Sequence, residues 1–286
     1  MLTPTAELVG AARACGTGVA AFNVVTLEHA EAIIAGAERV DRAVILQVSE
    51  NTVAFHGGRL APVAAAAAAL GEAATVPVAL HLDHVTAESL LRLAPGCGFS
   101  SVMFDASVLD YADNVAATRA AADFCHDHGL WLEGELGAVG GKGGAHAPGV
   151  RTDPGEALAF AVDTQVDLLA VAVGSSHAMT SRSARLDHDL IVALAAAVPV
   201  PLVLHGSSGV PDDELARAVA GGLVKINIGT ALNSAYTGAV RAALSAEPAA
   251  VDPRTALAAA RDAMADTVAA LLTVLAPVAS VVGGAA

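Results

Sequence analysis

The chain has 286 residues, 55% of them hydrophobic and only 3% aromatic, and carries a formal net charge of −14. So acidic a surface repels phosphate-rich partners, which excludes nucleic acid and anionic membranes and requires any phosphorylated ligand to be held locally, by backbone amides and a metal. The three cysteines (Cys15, Cys97 and Cys125) are widely spaced with no CxxC pair, so neither a disulfide framework nor a thiolate metal site is expected, and a reducing cytoplasm fits.

In chain order, the N-terminal residues lack the charged-then-apolar layout of a signal peptide. Short runs rich in β-branched residues and Leu follow at 19–24, 43–49, 78–83, 101–105, 130–135, 168–173, 201–205 and 224–228. Helix-like, Ala-rich stretches separate them at 27–40, 61–73, 112–128, 154–162, 189–197 and 211–220. Eight strands alternating with helices predict a parallel α/β fold, and eight is the number that closes a (β/α)8 TIM barrel. A doubly wound open sheet competes, but the first run ends AFNVV without a GxGxxG turn. One domain is expected over 1–286: the barrel over about 17–245, then a C-terminal helical extension and tail over about 246–286. Asp252-Pro253 reads there as a helix N-cap and first turn. Residues 267–286 carry no charge, yet Pro277 and the Gly-Gly-Ala-Ala end favour a docked helix and tail over a membrane span.

The polar residues fall where these runs end. Asn23, Ser49, Asp83 with His84, Asp105, Glu135, His205 and Asn227 close seven of them, and His177 follows the sixth through Gly174-Ser175-Ser176. In a parallel barrel these ends meet on one face, where barrel enzymes place their active sites. Any one of these histidines alone could be a hydrogen-bonded core residue; His84, His177 and His205 together form a three-imidazole catalytic zinc pattern. Asp83, beside His84 in HLDH, is a candidate general acid/base. Asp105 and Glu135 could bind a second metal or accept from imidazole N–H groups, with rim salt bridges as the plain alternative. The turns Gly206-Ser207-Ser208-Gly209 and Asn227-Ile228-Gly229-Thr230 suit a phosphate, because small residues let backbone N–H groups and a helix N-terminus approach an anion. Lys225 faces the barrel interior with Asn227, either as a Schiff-base lysine or, as favoured here, as a buried partner of a carboxylate.

The segments AFNV, HLDH, SVMFDAS, EGELG, AVGSSHA, PLVLHGSSG, KINIGT and VDPR, in that order, resemble the class II (metal-dependent) fructose-bisphosphate/tagatose-bisphosphate aldolase family from Ala21 to Arg254. The resemblance implies reversible cleavage of a ketose 1,6-bisphosphate to dihydroxyacetone phosphate and an aldehyde phosphate, on a Zn2+ held by His84, His177 and His205. It makes Asp83 the proton donor to the leaving aldehyde oxygen and assigns Asp105 and Glu135 to a second divalent site. It gives dihydroxyacetone phosphate to Gly206, Ser207, Ser208, Asn227, Ile228, Gly229 and Thr230, with Asn23, Ser49 and position 178 on the substrate side of the rim. A monovalent cation, Na+ or K+, near the phosphate is implied, as is a homodimer or homotetramer in which Arg254 reaches a neighbouring subunit's far phosphate. Three departures stand out: Ala178 where the family has Gly, Thr180 where it has Tyr, and a lid after EGELG whose residues 140–149 hold no carboxylate, only Lys142 and His146 as titratable side chains. Either His146 stands in for the lid carboxylate or the lid only excludes water. Competing readings are an aldolase for a related phosphorylated ketose, an amidohydrolase-type barrel, which would carry HxH after its first strand, and a catalytically silent sugar-phosphate sensor, which would not need Asp83.

Overall fold

The computed structural model describes residues 1–136, 150–176 and 179–276. Eight parallel strands among them pair in chain order: β1 (Val19–Asn23), β2 (Val44–Ser49), β3 (Val78–Val85), β4 (Ser101–Phe104), β5 (Trp131–Glu135), β6 (Leu168–Ala170), β7 (Leu202–Leu204) and β8 (Leu223–Ile228). β8 pairs back onto β1, so the sheet is a closed barrel, as the sequence predicted. The helices among the described residues are α1 (Thr5–Cys15), α2 (Leu27–Arg39), α3 (Glu50–Phe55), α4 (Leu60–Ala73), α5 (Glu88–Leu91), α6 (Tyr111–Asp127), α7 (Pro154–Thr164), α8 (His188–Ala197), α9 (Asp212–Ala220), α10 (Thr230–Ala246) and α11 (Pro253–Val274). The starts follow local chemistry: Asp153 accepts from the amides of Gly155 and Glu156 ahead of α7, and Asp252 accepts from Arg254 N ahead of α11, each with proline in the first turn.

Two apolar layers follow from period-two alternation. Side chains such as Phe22, Leu46, Leu80 and Ile226 point outward and bury against the helices. Val19, Ala21, Ile45, Ala79, Met103, Leu168, Ala170 and Val203 form a separate cluster with Leu8, Val9 and Ala12 of α1. α1 therefore plugs the barrel end where the strands begin, a role that the sequence reading left unassigned. Thr5 in α1 is hydrogen-bonded to Ser101 Oγ (2.7 Å) at that end. α11 packs on α2 and α10, and Gly36 lets it do so, since a Cβ there would lie 2.6 Å from the Ala265 carbonyl oxygen. Among the described residues no helix is long and apolar enough to cross a membrane. Residues 277–286 of the uncharged C-terminal stretch lie outside the described residues.

Candidate active site

Adjacent strand residues should face opposite sides of a sheet, yet Asp83 and His84 both line the cleft at the C-terminal mouth of the barrel. The pairing of β3 with β4 shifts register between Leu82 and Val85, and His84 takes a left-handed φ of 50°. This bulge turns the second side chain inward. A non-glycine residue held there costs on the order of 1–3 kcal/mol, which the surrounding pairing must offset.

His84 Nε2 lies 3.1 Å from His205 Nδ1, and the far nitrogen of each ring meets a carboxylate. His84 Nδ1 is 3.4 Å from Asp105 Oδ2, and His205 Nε2 is 2.8 Å from Glu133 Oε1. With both rings neutral and the outer N–H groups donating, the inner nitrogens carry the lone pairs, as in an imidazole that binds a metal and is held from behind by a carboxylate. A Glu135 carboxylate oxygen joins them; the three donor atoms lie within 4.8 Å of one another, a set that could hold a metal ion. The local charge is suited to a cation. Burial opposes a proton on His84, but Asp83, Asp105 and Glu135 outweigh it and raise its pKa to about 9. Burial also works against the Asp105 charge, but hydrogen bonds from His84 and Ser107 hold its carboxyl well below the usual carboxylate range.

Asp83 is 1% exposed. Gln47 Nε2 donates to its Oδ2 at 3.3 Å, and its Oδ1 has no hydrogen-bond partner among the described residues. Burial raises its pKa despite the pull of His84 and Lys225. Oδ1 is itself buried, 3.8 Å from His81 Nε2, and the residue lines the cleft; a buried carboxyl so placed is equipped to exchange a proton with a ligand.

The cleft measures about 390 Å³ and its wall includes Asn23, Ser49, Ser176, Gly206, Ser208, Asn227, Gly229 and Thr230. Gly206 has φ 70°, and a Cβ there would lie 2.6 Å from the Ser176 backbone; only glycine lets those two turns meet. Gly229 lies over Asn23, where a Cβ would come within 3.0 Å of Oδ1. Beside them α10 begins at Thr230, which lines the cleft with Asn233, while the Ala231 amide donates to Ser208 Oγ at 3.0 Å.

Several expected residues stand elsewhere. Ser207 is buried with its hydroxyl on the Leu204 carbonyl, and Ile228 packs outward under the helices, so neither side chain reaches the cleft. Asp105 sits behind His84, and only Glu135 of the expected second-site pair joins the His84–His205 cluster. Arg254 starts α11, exposed and paired with Asp252, and does not line the cleft. His177, Ala178, Lys142 and His146 lie outside the described residues. Sequence reasoning missed Gln47, Glu133 and Asn233. For the first two a signal existed: they sit two residues before Ser49 and Glu135 and so share their interior face.

A closed parallel barrel whose C-terminal mouth carries a His/Glu cluster that could hold a metal ion, beside a buried carboxyl, has the architecture of a barrel enzyme. The model of the class-II fructose-bisphosphate aldolase family matches residues 3–278, and the chain belongs to that family. It is 38% identical over 253 residues to a 6-phospho-5-dehydro-2-deoxy-D-gluconate aldolase from Shouchella clausii, covering 88% of this chain and 86% of the relative. It is 36% identical to a fructose-bisphosphate aldolase from Thermus caldophilus, covering 94% and 96%. Among solved structures it resembles the YdjI aldolase from Escherichia coli K12, with a TM-score of 0.84 at 30% identity over 96% of this chain and 97% of the other.

Proposed function

We propose that the protein is a zinc-dependent aldolase that cleaves a ketose 1,6-bisphosphate of the fructose or tagatose type to dihydroxyacetone phosphate and an aldehyde phosphate. The observation that carries this reading is the His84–Glu135–His205 cluster facing the same cleft as the buried Asp83. Two imidazoles with inner lone pairs, backed by carboxylates, suit Zn2+, and His177, in GSSHA, is proposed as the third imidazole. When bound, the metal supplies Lewis-acid polarisation of the substrate ketone. Asp83 takes the proton from the hydroxyl whose carbon becomes the aldehyde and returns it in the condensation direction. Gly206, Ser208, Gly229 and the first turn of α10 hold the phosphate through backbone amides, which a chain of net charge −14 needs in place of a basic surface. In the homodimer or homotetramer proposed here, Arg254 of one subunit reaches the far phosphate at another's site.

The 38% identity to a 6-phospho-5-dehydro-2-deoxy-D-gluconate aldolase supports a second substrate, a phosphorylated keto-sugar acid. Its retro-aldol cleavage also releases dihydroxyacetone phosphate, so the phosphate loops and metal serve both substrates and only the aldehyde half differs. Cleavage of both substrate classes, with metal analysis and with chelator, tests the proposal. Chelator-sensitive cleavage of a ketose bisphosphate with stoichiometric zinc is expected; cleavage of the sugar acid alone selects the second reading, and turnover without metal defeats both.

A further inference from the structure

Beneath the cleft the barrel contains a second polar layer that the proposed chemistry does not use. Lys225 of β8 and Glu133 of β5 are both 0% exposed, with Lys225 Nζ 2.7 Å from Glu133 Oε2. The other Glu133 oxygen, Oε1, lies 2.8 Å from His205 Nε2, which Asn227 Nδ2 also approaches, at 3.1 Å; the nearer and charged acceptor, the carboxylate, takes the ring N–H. On the far side, Lys225 Nζ is 3.5 Å from His81 Nε2, and His81 Nδ1 is 2.7 Å from Ser101 Oγ, which in turn meets Thr5 of the α1 plug. The lysine is fully buried, paired with Glu133 and absent from the cleft wall, so it is not placed to form a Schiff base with a ligand in the cleft.

A carboxylate buried in an apolar barrel has to be paired, and the pairing fixes its orientation. Lys225 occupies Oε2, which leaves Oε1 aimed at one ring nitrogen of His205. Imidazole has a single N–H when neutral, so an acceptor on Nε2 leaves the lone pair on Nδ1, the atom 3.1 Å from His84 Nε2. We infer that Lys225 is a positioning residue for the metal centre: by pinning Glu133 it fixes the tautomer and ring angle of His205 and so sets how tightly the site holds its metal. The inference rests on the metal-centre reading above and extends it two side chains below the cleft.

The test is zinc affinity of the purified full-length protein, measured by competition with a chromophoric chelator, beside circular dichroism to score folding. Lys225→Met alone leaves a buried carboxylate unpaired and is prone to misfold. Two charge-neutral double variants avoid this: Lys225→Met/Glu133→Gln keeps an acceptor for His205, and Lys225→Met/Glu133→Met removes it. Disturbing a group that hydrogen-bonds a metal-binding imidazole typically lowers metal affinity by roughly 10–100-fold. The expected order is wild type tightest, the Gln variant weaker, and the Met variant weakest by about that factor, with Co2+ absorption bands of the Met variant altered to match. Equal zinc affinity in wild type and both folded double variants overturns the inference while the metal centre stands. Wild-type protein that does not compete for zinc, and whose cleavage ignores chelator, defeats the metal-centre reading itself and this inference with it.

Discussion

His84 Nε2 and His205 Nδ1 approach to 3.1 Å across 121 residues of sequence, with carboxylates behind both rings. Two nitrogen lone pairs at that distance repel unless a proton or a metal ion lies between them. His84→Ala and His205→Ala should therefore each lose bound zinc and essentially all cleavage while keeping the wild-type circular dichroism spectrum. The same result is expected of His177→Ala. Full metal content and turnover in any one variant would remove that residue from the ligand set.

Asp83→Asn keeps the shape of the side chain and its contact with Gln47 but cannot exchange a carboxyl proton. Loss of a positioned general acid/base typically reduces rate by ~10²–10⁴-fold. The loss should fall on kcat, with KM within a few-fold of wild type. A raised KM at unchanged kcat would make Asp83 a binding residue instead.

Much of this site was legible in the sequence, because strand ends of a parallel barrel share one face and period two fixes which residues point inward. Asn23, Ser49, Asp83, His205, Asn227 and the glycine turns all reached the cleft on that logic. The six helices expected between strands lie within two residues of those observed. What stayed hidden depended on pairing rather than pattern. HLDH does not reveal that His84 adopts a left-handed backbone, since the bulge arises from register against β4. The plug α1 reads only as an Ala-rich segment, TAELVGAARAC, whose buried face exists because the barrel end needs a cover. Lys225 could be assigned a carboxylate partner in advance, but not Glu133 in particular, because interior residues of several strands compete for that place.

Gly206→Ala should damage phosphate binding more than chemistry. The new Cβ would meet the Ser176 backbone at 2.6 Å in a residue already at φ 70°, so the two loops must separate. The left-handed strain alone is about 1–2 kcal/mol. The expected outcome is a lowered Tm and a KM for phosphorylated substrate raised at least tenfold, read from thermal melts and steady-state kinetics. A KM and Tm equal to wild type would place phosphate elsewhere.

In the metal-free protein the charge on His84 makes stability depend on pH. Burial opposes the charged form of His84, but Asp83, Asp105 and Glu135 prevail and lift its pKa from 6.5 to about 9. A folded-state value above the unfolded one means that the charged ring stabilises the fold fully below about pH 6.5, and that this stability is lost as pH rises through about 9. With one pKa unit near 1.4 kcal/mol, the contribution is on the order of 3–4 kcal/mol. Chelator-treated wild type should therefore lose more Tm between pH 6.5 and 9 than chelator-treated His84→Gln, which has no proton to release. Zinc binding runs the other way: the ring must shed its proton to become a ligand, so apparent zinc affinity should climb over the same interval. Melting curves of both metal-free proteins, with zinc titrations of the wild type at each pH, separate the two effects. Parallel Tm profiles for wild type and His84→Gln would show that the three carboxylates do not hold a charge on this histidine.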